Sequence, residues 1–329
     1  MADKPKNGHY IGFDLGGTKM MASVLNADFA IVGSKREKLR DRGGQKVGVE
    51  QIIQLARAAL TEAKVPGSQV KAFGIGCPGT IDLDKGIILE APNLGWKNVN
   101  LKKDLEAEFG CPVVVGNDVD IGTFGEFTFG AGKGGRCVLG VFPGTGIGGG
   151  CVYEGNLLRG KTGSILEIGH IQVQRDGPQC GCGRRGCIEA IASRLAIARE
   201  CAAAAFRGEA PHLYAEAGTD LEKIRSKTLL RAIEAGDAVI EKIVRRAARQ
   251  LGRAIASAVN LLGPDIVVLG GGLVEALPKL YLVEIETSVR AEAMKAYTAG
   301  LKIAPASCGD DAVVLGAAAL AARALKDQK

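Results

Sequence analysis

No apolar run in this chain approaches the roughly twenty residues that a helix needs to cross a bilayer. Met1–His9 lacks the basic-then-apolar pattern of a signal peptide and reads as a short polar tail. These absences set the expectation of a cytoplasmic protein with no membrane partner. The glycines follow no Gly-X-Y period, so a collagen-like rod is excluded. The net charge of +6 comes from scattered basic residues. The densest stretches, Lys35-Arg36-Glu37-Lys38 and Arg245-Arg246, lie among acidic or apolar residues and read as solvated surface, with no nucleic-acid role. No low-complexity linker divides the chain, so crossing segments should join its lobes.

What is present fits an ordinary globular enzyme. The 329 residues exceed what one compact core usually holds, and two lobes are expected. Apolar residues make up 47% and charged residues 24%, as in soluble globular proteins. The 47 glycines cluster in short loops between apolar runs, which suggests backbone running close to a ligand in several places.

Patterning supplies the elements. Tyr10–Asp14 and Met20–Leu25 read as a hairpin across a Gly-Gly turn, with Thr18 and Lys19 at its tip. Val49–Lys64 has helical periodicity, strands follow at Ala72–Gly76 and Val113–Val115, and Lys102–Phe109 is a helix between them. That alternation favours a mixed α/β sheet. Val138–Phe142 is a strand running into Pro143–Gly150, from which Cys151–Tyr153 returns. An alanine-rich helix begins directly after Cys187, and Ile240 to Val259 mark one face of a long helix. Ile266–Leu269 is a buried strand, and Ala312–Leu325 a closing helix.

His170, Cys180, Cys182 and Cys187 form the set H-x9-C-x-C-x4-C, with Gly181, Gly183 and Gly186 between the cysteines. Three thiolates and an imidazole satisfy a tetrahedral zinc ion completely, leaving no open position, so the expected metal is structural. Free thiols or disulfides are the rival, but adjacent cysteines at this spacing bridge poorly and the compartment is reducing. A zinc ribbon on nucleic acid would need basic and aromatic residues around the knuckle, where only Arg184 and Arg185 stand. The metal would fix the orientation of His170, leaving its second nitrogen for a ligand, and would position Glu189 just beyond.

Two glycine loops suggest phosphate. Asp14-Leu15-Gly16-Gly17-Thr18-Lys19 offers a carboxylate for the water shell of Mg²⁺ and a tight turn whose N–H groups hold phosphate oxygens. Gly144-Thr145-Gly146-Ile147-Gly148-Gly149-Gly150 repeats the design; it is neither a Walker loop nor a dinucleotide fingerprint. Two such loops suggest two lobes clasping one polyphosphate, and Gly270-Gly271-Gly272 would admit a flat adenine. Asn117-Asp118 follows a strand, and Asp118 is the candidate base for an acceptor hydroxyl, with a helix N-cap as the alternative. Asn93, Glu167 and His170 carry groups that bind sugar hydroxyls by paired hydrogen bonds.

Together these elements resemble the ROK family of sugar kinases and sugar-responsive repressors, within the actin-like ATPase superfamily. The most specific piece is Glu167-x-Gly169-His170 followed by Cys180-x-Cys182-Gly183-x-x-Gly186-Cys187-x-Glu189-x-x-x-Ser193; Asp14–Lys19, Pro78-Gly79, Asn117-Asp118 and Gly144–Gly150 stand in the family's order. The resemblance implies a two-lobed, ribonuclease H-like α/β fold with a structural zinc site. One lobe would comprise 1–118 plus 312–329, and the larger one 119–311 with the zinc motif and an oligomerisation surface. By matching position, Asp118 would be the general base, and Asn93, Asn117, Glu167, His170 and Glu189 would contact the sugar, with Gly79 close by. Thr18 and Gly144–Gly146 would face the phosphates, and Gly270–Gly272 the adenosine. A homodimer or homotetramer is implied.

One departure stands out. The family usually places Ala-Gly immediately before the glutamate of Glu-x-Gly-His, where this chain has Ile165-Leu166. Leucine does not easily adopt glycine-only backbone angles, so this loop is expected to run differently. The implied activity is transfer of the γ-phosphate of ATP, with Mg²⁺, to a free hexose, glucose first, with N-acetylmannosamine, fructose or allose as alternatives. Polyphosphate or ADP is an alternative donor. A sugar-sensing repressor would need a DNA-binding helix-turn-helix, which the thirteen residues before Asp14 are too few to form.

Overall fold

The computed structural model describes residues 8–39, 44–161 and 163–327. Most of the polar tail expected at Met1–His9 lies outside them. The chain opens with strands β1 (His9–Leu15), β2 (Lys19–Leu25) and β3 (Ile31–Lys38), then helix α1 (Gly44–Ala63) and strand β4 (Val70–Cys77). A small antiparallel sheet of β5 (Thr80–Asp82), β6 (Ile87–Ala91) and β7 (Trp96–Val99) follows. Helix α2 (Leu101–Phe109), strand β8 (Val113–Asn117) and helix α3 (Asp118–Phe129) come next. The first large sheet has the order β3-β2-β1-β4-β8. β2 is antiparallel to both its neighbours, while β1, β4 and β8 are parallel. This is a mixed α/β sheet, as the patterning predicted, and α1 starts five residues earlier than its expected limit.

The next elements are β9 (Cys137–Pro143), β10 (Ile147–Tyr153), β11 (Asn156–Leu157), and the helices α4 (Glu189–Ala192), α5 (Arg194–Phe206), α6 (Pro211–Ala217), α7 (Ser226–Glu234) and α8 (Ala238–Leu262). Then come β12 (Ile266–Leu269), α9 (Gly272–Ala276), α10 (Pro278–Glu292), α11 (Lys295–Thr298), β13 (Lys302–Pro305) and α12 (Ala312–Asp327). The second large sheet has the order β11-β10-β9-β12-β13. The single alanine-rich helix expected after the cysteines is two helices. Ser193 interrupts it, extended at ψ 162°, and its hydroxyl caps α5 by accepting the N–H of Ala196.

The chain forms two compact units. One comprises Met1–Gly134, Gly150–Ile165 and Ser307–Lys329; the other comprises Gly135–Gly149 and Leu166–Ala306. The boundaries differ from the 118/119 and 311/312 divisions read from sequence, because α3 packs along α12 in the first unit. A Cβ at Gly316 would collide with the carbonyl of Ile121, so the two helices approach at backbone distance. Gly74 of β4 is in the same relation to Ala317, and α12 thereby lies directly on the sheet. The buried carboxylate of Glu126 holds the entry to α12, accepting the N–H groups of Ser307 and Cys308 at 2.9 and 2.7 Å.

Each unit has its own apolar core. In the first, Ile11, Phe13, Phe73 and Ile75 from the central strands meet Ile52, Leu55 and Ala56 of α1. In the second, Ile240, Val244, Leu251 and Ile255 of α8 pack with Val267 and Leu269 of β12 and with Tyr281 and Ile285 of α10. Full burial of a residue of this size contributes about 1.5–3 kcal/mol. These cores are rigid frames for the loops at the strand ends. Among the described residues, no helix is long and apolar enough to cross a membrane.

Candidate functional site

Because β1, β4 and β8 are parallel, their C-terminal ends lie on one side of the first sheet. They carry Asp14, Cys77-Pro78-Gly79 and Asn117-Asp118. Open α/β sheets bind ligands outside the carboxyl ends of their strands. Asn117, not Asp118, caps α3: its Oδ1 accepts the N–H groups of Val119 and Asp120 at 2.9 and 3.2 Å. Asp118 is the first helical residue, and its Oδ1 accepts the Val119 N–H at 3.0 Å. The cap expected as an alternative role for Asp118 therefore belongs to its neighbour.

Electrostatics couple Asp14 and Asp118. Asp14 is pushed up to about 7, first by burial, then by the negative charges of Asp118 and Asp310, with Arg36 opposing. Burial raises Asp118 above the ordinary carboxylate value, against the pull of its N–H bonds. Two carboxylates in one poorly solvated place resist simultaneous ionisation. A cavity of about 320 Å³ is lined by Asp14, Lys19, Arg36, Glu37, Lys38 and Asp310. The stretch read as plain solvated surface thus contributes Arg36, Glu37 and Lys38 to the cavity wall beside Asp14. Arg36 is paired with Asp310 at 2.6 Å.

The Gly16-Gly17-Thr18 turn closes with the Gly16 N–H donating to the Lys19 carbonyl at 2.9 Å; Lys19 itself opens β2 and is not at the tip. Asn93 borders this turn, since a Cβ at Gly17 would stand 3.6 Å from the Asn93 Cβ. Gly79 has φ 94°, and a side chain there would strike the Glu90 carbonyl, so only glycine permits this turn beneath β6.

The second unit holds the cysteine cluster. The ligand atoms of His170, Cys180, Cys182 and Cys187 lie within 4.8 Å of one another. Cys180 Sγ stands 3.6 Å from His170 Nδ1, and the sulfurs of Cys182 and Cys187 are 3.7 Å apart. A tetrahedral ion with metal–sulfur bonds of about 2.3 Å would separate its sulfurs by about 3.8 Å. The donor set and its spacing therefore fit a tetrahedral metal. The Cys182 thiol is held down to about 6, first by the backbone N–H of Arg184, a state suited to ligation. His170 presents Nδ1 to the sulfurs, so Nε2 is its free nitrogen.

Glu189 opens α4 two residues beyond Cys187. Its Oε2 accepts the backbone N–H of Ile147 at 2.9 Å, and its Oε1 is 4.0 Å from Cys180 Sγ. The Gly144 N–H donates to the Gly146 carbonyl at 2.8 Å, and the Gly144 carbonyl accepts the N–H of Arg194 at 2.9 Å. The turn at Gly270–Gly272 adjoins this loop: Gly271 has φ 80°, and a Cβ there would stand 2.8 Å from the Pro143 carbonyl oxygen. Thr145 is exposed, and its hydroxyl accepts a bond from Arg194 Nη2 at 3.1 Å.

Leu166 adopts φ 69°, the left-handed conformation that glycine favours, despite its side chain. Packing holds it there. Leu166 joins the core of the second unit and covers Gly149, where a Cβ would lie 3.1 Å from Leu166 Cδ2. Glu167, next along, is exposed. The sequence reading brought out the glycine loops, the acidic pair and the cluster, but missed Arg36, Lys38 and Arg194. These arginines and this lysine carry no local motif, and only tertiary folding sets them beside the loops.

The sequence profile of the ROK family matches residues 10–324. A glucokinase of Halalkalibacterium halodurans is 35% identical over 311 residues, which are 93% of each chain. A glucokinase of Thermotoga maritima is 34% identical, over 94% of this chain and 96% of its own. Among solved structures, a ROK family glucokinase from Streptomyces griseus, in complex with glucose and AMPPNP, superposes with a TM-score of 0.83 at 33% identity. That match covers 96% of this chain and all of the other. On the family match and these relatives together, the chain belongs to the ROK family.

Proposed function

We propose that this protein is a hexokinase-type phosphotransferase that moves the γ-phosphoryl group of ATP to the 6-hydroxyl of free glucose. The observation that carries this reading is the carboxylate of Asp118, raised by burial at the end of β8 where Asn117 supplies the α3 cap, in a chain similar over nearly its whole length to glucokinases. Phosphoryl transfer asks the protein mainly to position its reactants and offset charge. Asp118 accepts the proton of the sugar hydroxyl late in the step, and its raised pKa brings it nearer to the working range of a general base.

The sugar is recognised by Asn93, Asn117, Glu167, His170 and Glu189, with Gly79 alongside. Asn117 offers its amide N–H₂, because its Oδ1 is engaged in the cap. Glu189 serves through the Oε1 that Ile147 leaves open. The turn Gly16-Gly17-Thr18-Lys19 and the loop Gly144-Thr145-Gly146 donate N–H groups to phosphate oxygens, and Gly270–Gly272 accommodate adenosine. Asp14 would hold the water shell of Mg²⁺; its neighbours' negative charges make a cation favourable there. Magnesium supplies charge neutralisation on the phosphates when bound. Zinc is the proposed occupant of the His170, Cys180, Cys182 and Cys187 set, where it would be closed to substrate and would orient His170.

A coupled assay for ADP release across glucose, fructose, allose and N-acetylmannosamine tests the reading. Highest kcat/KM with glucose is expected. Release with none of them overturns the kinase reading, and release with another sugar alone reassigns the acceptor.

A further inference from the structure

Arg194 of the second unit stands at the glycine loop with the positive charge of Arg225 acting on it, and neither guanidinium has a carboxylate partner among the described residues. Arg194 is the first residue of α5, and three of its contacts fix its position. Its backbone N–H donates to the Gly144 carbonyl at 2.9 Å, and its Nη2 to the Thr145 hydroxyl at 3.1 Å. Its Nη1 reaches the Ile224 carbonyl at 3.4 Å. The next residue is Arg225, whose Nε donates to the Glu222 carbonyl at 2.9 Å and whose side chain is exposed. Ser226 follows, and its hydroxyl is 3.5 Å from where a Cβ on Gly272 would be. Four segments of this unit, 143–146, 193–194, 224–226 and 270–272, therefore converge.

This convergence is costly as it stands. Burial lowers the proton affinity of Arg194, and the positive charge of Arg225 lowers it further. Other arginines on this unit are matched to carboxylates, among them Arg231 to Glu216, Arg245 to Glu284 and Arg246 to Glu200. An arginine without a carboxylate beside a glycine loop, with a second positive charge acting on it, is complementary to a polyanion, because planar N–H forks match phosphate oxygens bidentately.

We propose that Arg194 and Arg225 form the anion grip of the second unit, taking the pyrophosphate part of the nucleotide at the Gly144–Gly146 loop. Thr145 then gives up its bond to Arg194 and turns its hydroxyl to the same phosphates. The inference rests on the kinase reading but concerns binding, and binding is measured separately from turnover.

The test compares calorimetric titration of ADP and of adenosine into the full-length protein and into R194A, R225A and R194K, with melting temperatures as folding controls. Expected is a loss of roughly tenfold or more in ADP affinity for R194A and R225A, with adenosine affinity within about twofold of the parent. R194K should fall between, since an ammonium keeps charge and loses the fork. ADP and adenosine weakening in parallel, or neither changing in folded variants, overturns the grip. If the parent binds ADP but phosphorylates no sugar, the kinase reading fails while the grip is still judged by the ADP and adenosine ratios. If the parent binds adenosine no more weakly than ADP, the phosphates are not gripped and the inference falls.

Discussion

The carboxylate of Glu189 accepts the N–H of Ile147 at 2.9 Å while lying 4.0 Å from the sulfur of Cys180. One side chain thus joins the helix that begins after the cysteine cluster to the second glycine loop. Ile147 is 5% exposed, so its N–H has little access to water if the acceptor is removed. Glu189→Ala should cost about 1–3 kcal/mol of stability, the usual penalty for an unsatisfied buried donor. Glu189→Gln retains a carbonyl acceptor and should recover most of that loss. Denaturant titration of the two variants checks this, and equal stabilities would show that the bond is not holding the loop.

The cluster itself makes a second prediction. If zinc ties 170–187 together, Cys187→Ser should lose bound metal, lower the melting temperature and weaken glucose binding, because metal binding is folding free energy for such a loop. Chelator should reproduce these losses in the parent and have little further effect on the variant. Metal analysis by mass spectrometry decides it: active protein without stoichiometric zinc removes the metal from the account.

Asp118→Asn preserves size and leaves the Asn117 cap intact. Glucose affinity should stay within a few-fold, while kcat falls by about 10²-fold or more, the usual worth of a positioned general base. The acid limb of the pH profile gives an independent reading. Because burial raises Asp118, activity should decline as pH falls toward a midpoint above 3.8, its ordinary value. A variant that keeps near-normal turnover shows that another group takes the proton.

Asp14 carries a stability cost with a definite sign. Its folded value of about 7 lies above the ordinary 3.8, so between these the folded state holds more proton than the unfolded chain. Stability from this group is therefore full below pH 3.8 and is lost as pH rises through 7. Asp14→Asn should melt higher than the parent at pH 8, with the gap closing as pH is lowered toward 4. The same variant should bind Mg²⁺ and nucleotide more weakly, since it has lost the charge that a cation would relieve. A pH-independent difference in melting temperature would show that Asp14 is ordinary in the folded protein.

The parts legible in the sequence were those with a local signature. His170 and the three cysteines lie within one loop, and their spacing alone predicted a cluster that the fold brings within ligand distance. The strands β1, β4, β8, β9 and β12 were marked by apolar runs, and β12 ran to the expected residues. β3 was missed because Ser34–Lys38 is polar and mostly exposed, so no apolar alternation marks it. β5–β7 are too short to show a period. The unit boundaries depend on α12 meeting α3 across most of the chain's length, a contact made through glycines that no local pattern announces. Arg194 is joined to the glycine loop in the same long-range way.

Leu166 makes the last test, because there packing competes with backbone preference. A leucine in the left-handed region costs about 1–2 kcal/mol, and here its burial beside Gly149 offsets that. Leu166→Ala removes the packing and keeps the strained φ of 69°. Leu166→Gly removes the same packing but relieves the strain, at an unfolded-state entropy cost of about 0.5–1 kcal/mol. Both variants should be less stable than the parent, and glycine should be the less damaging by about 0.5–1 kcal/mol, reversing the usual order of alanine and glycine. Urea titration of the pair measures the difference. The usual order, with alanine the more stable, would mean that Leu166 is not left-handed and that the loop before Glu167 follows another path.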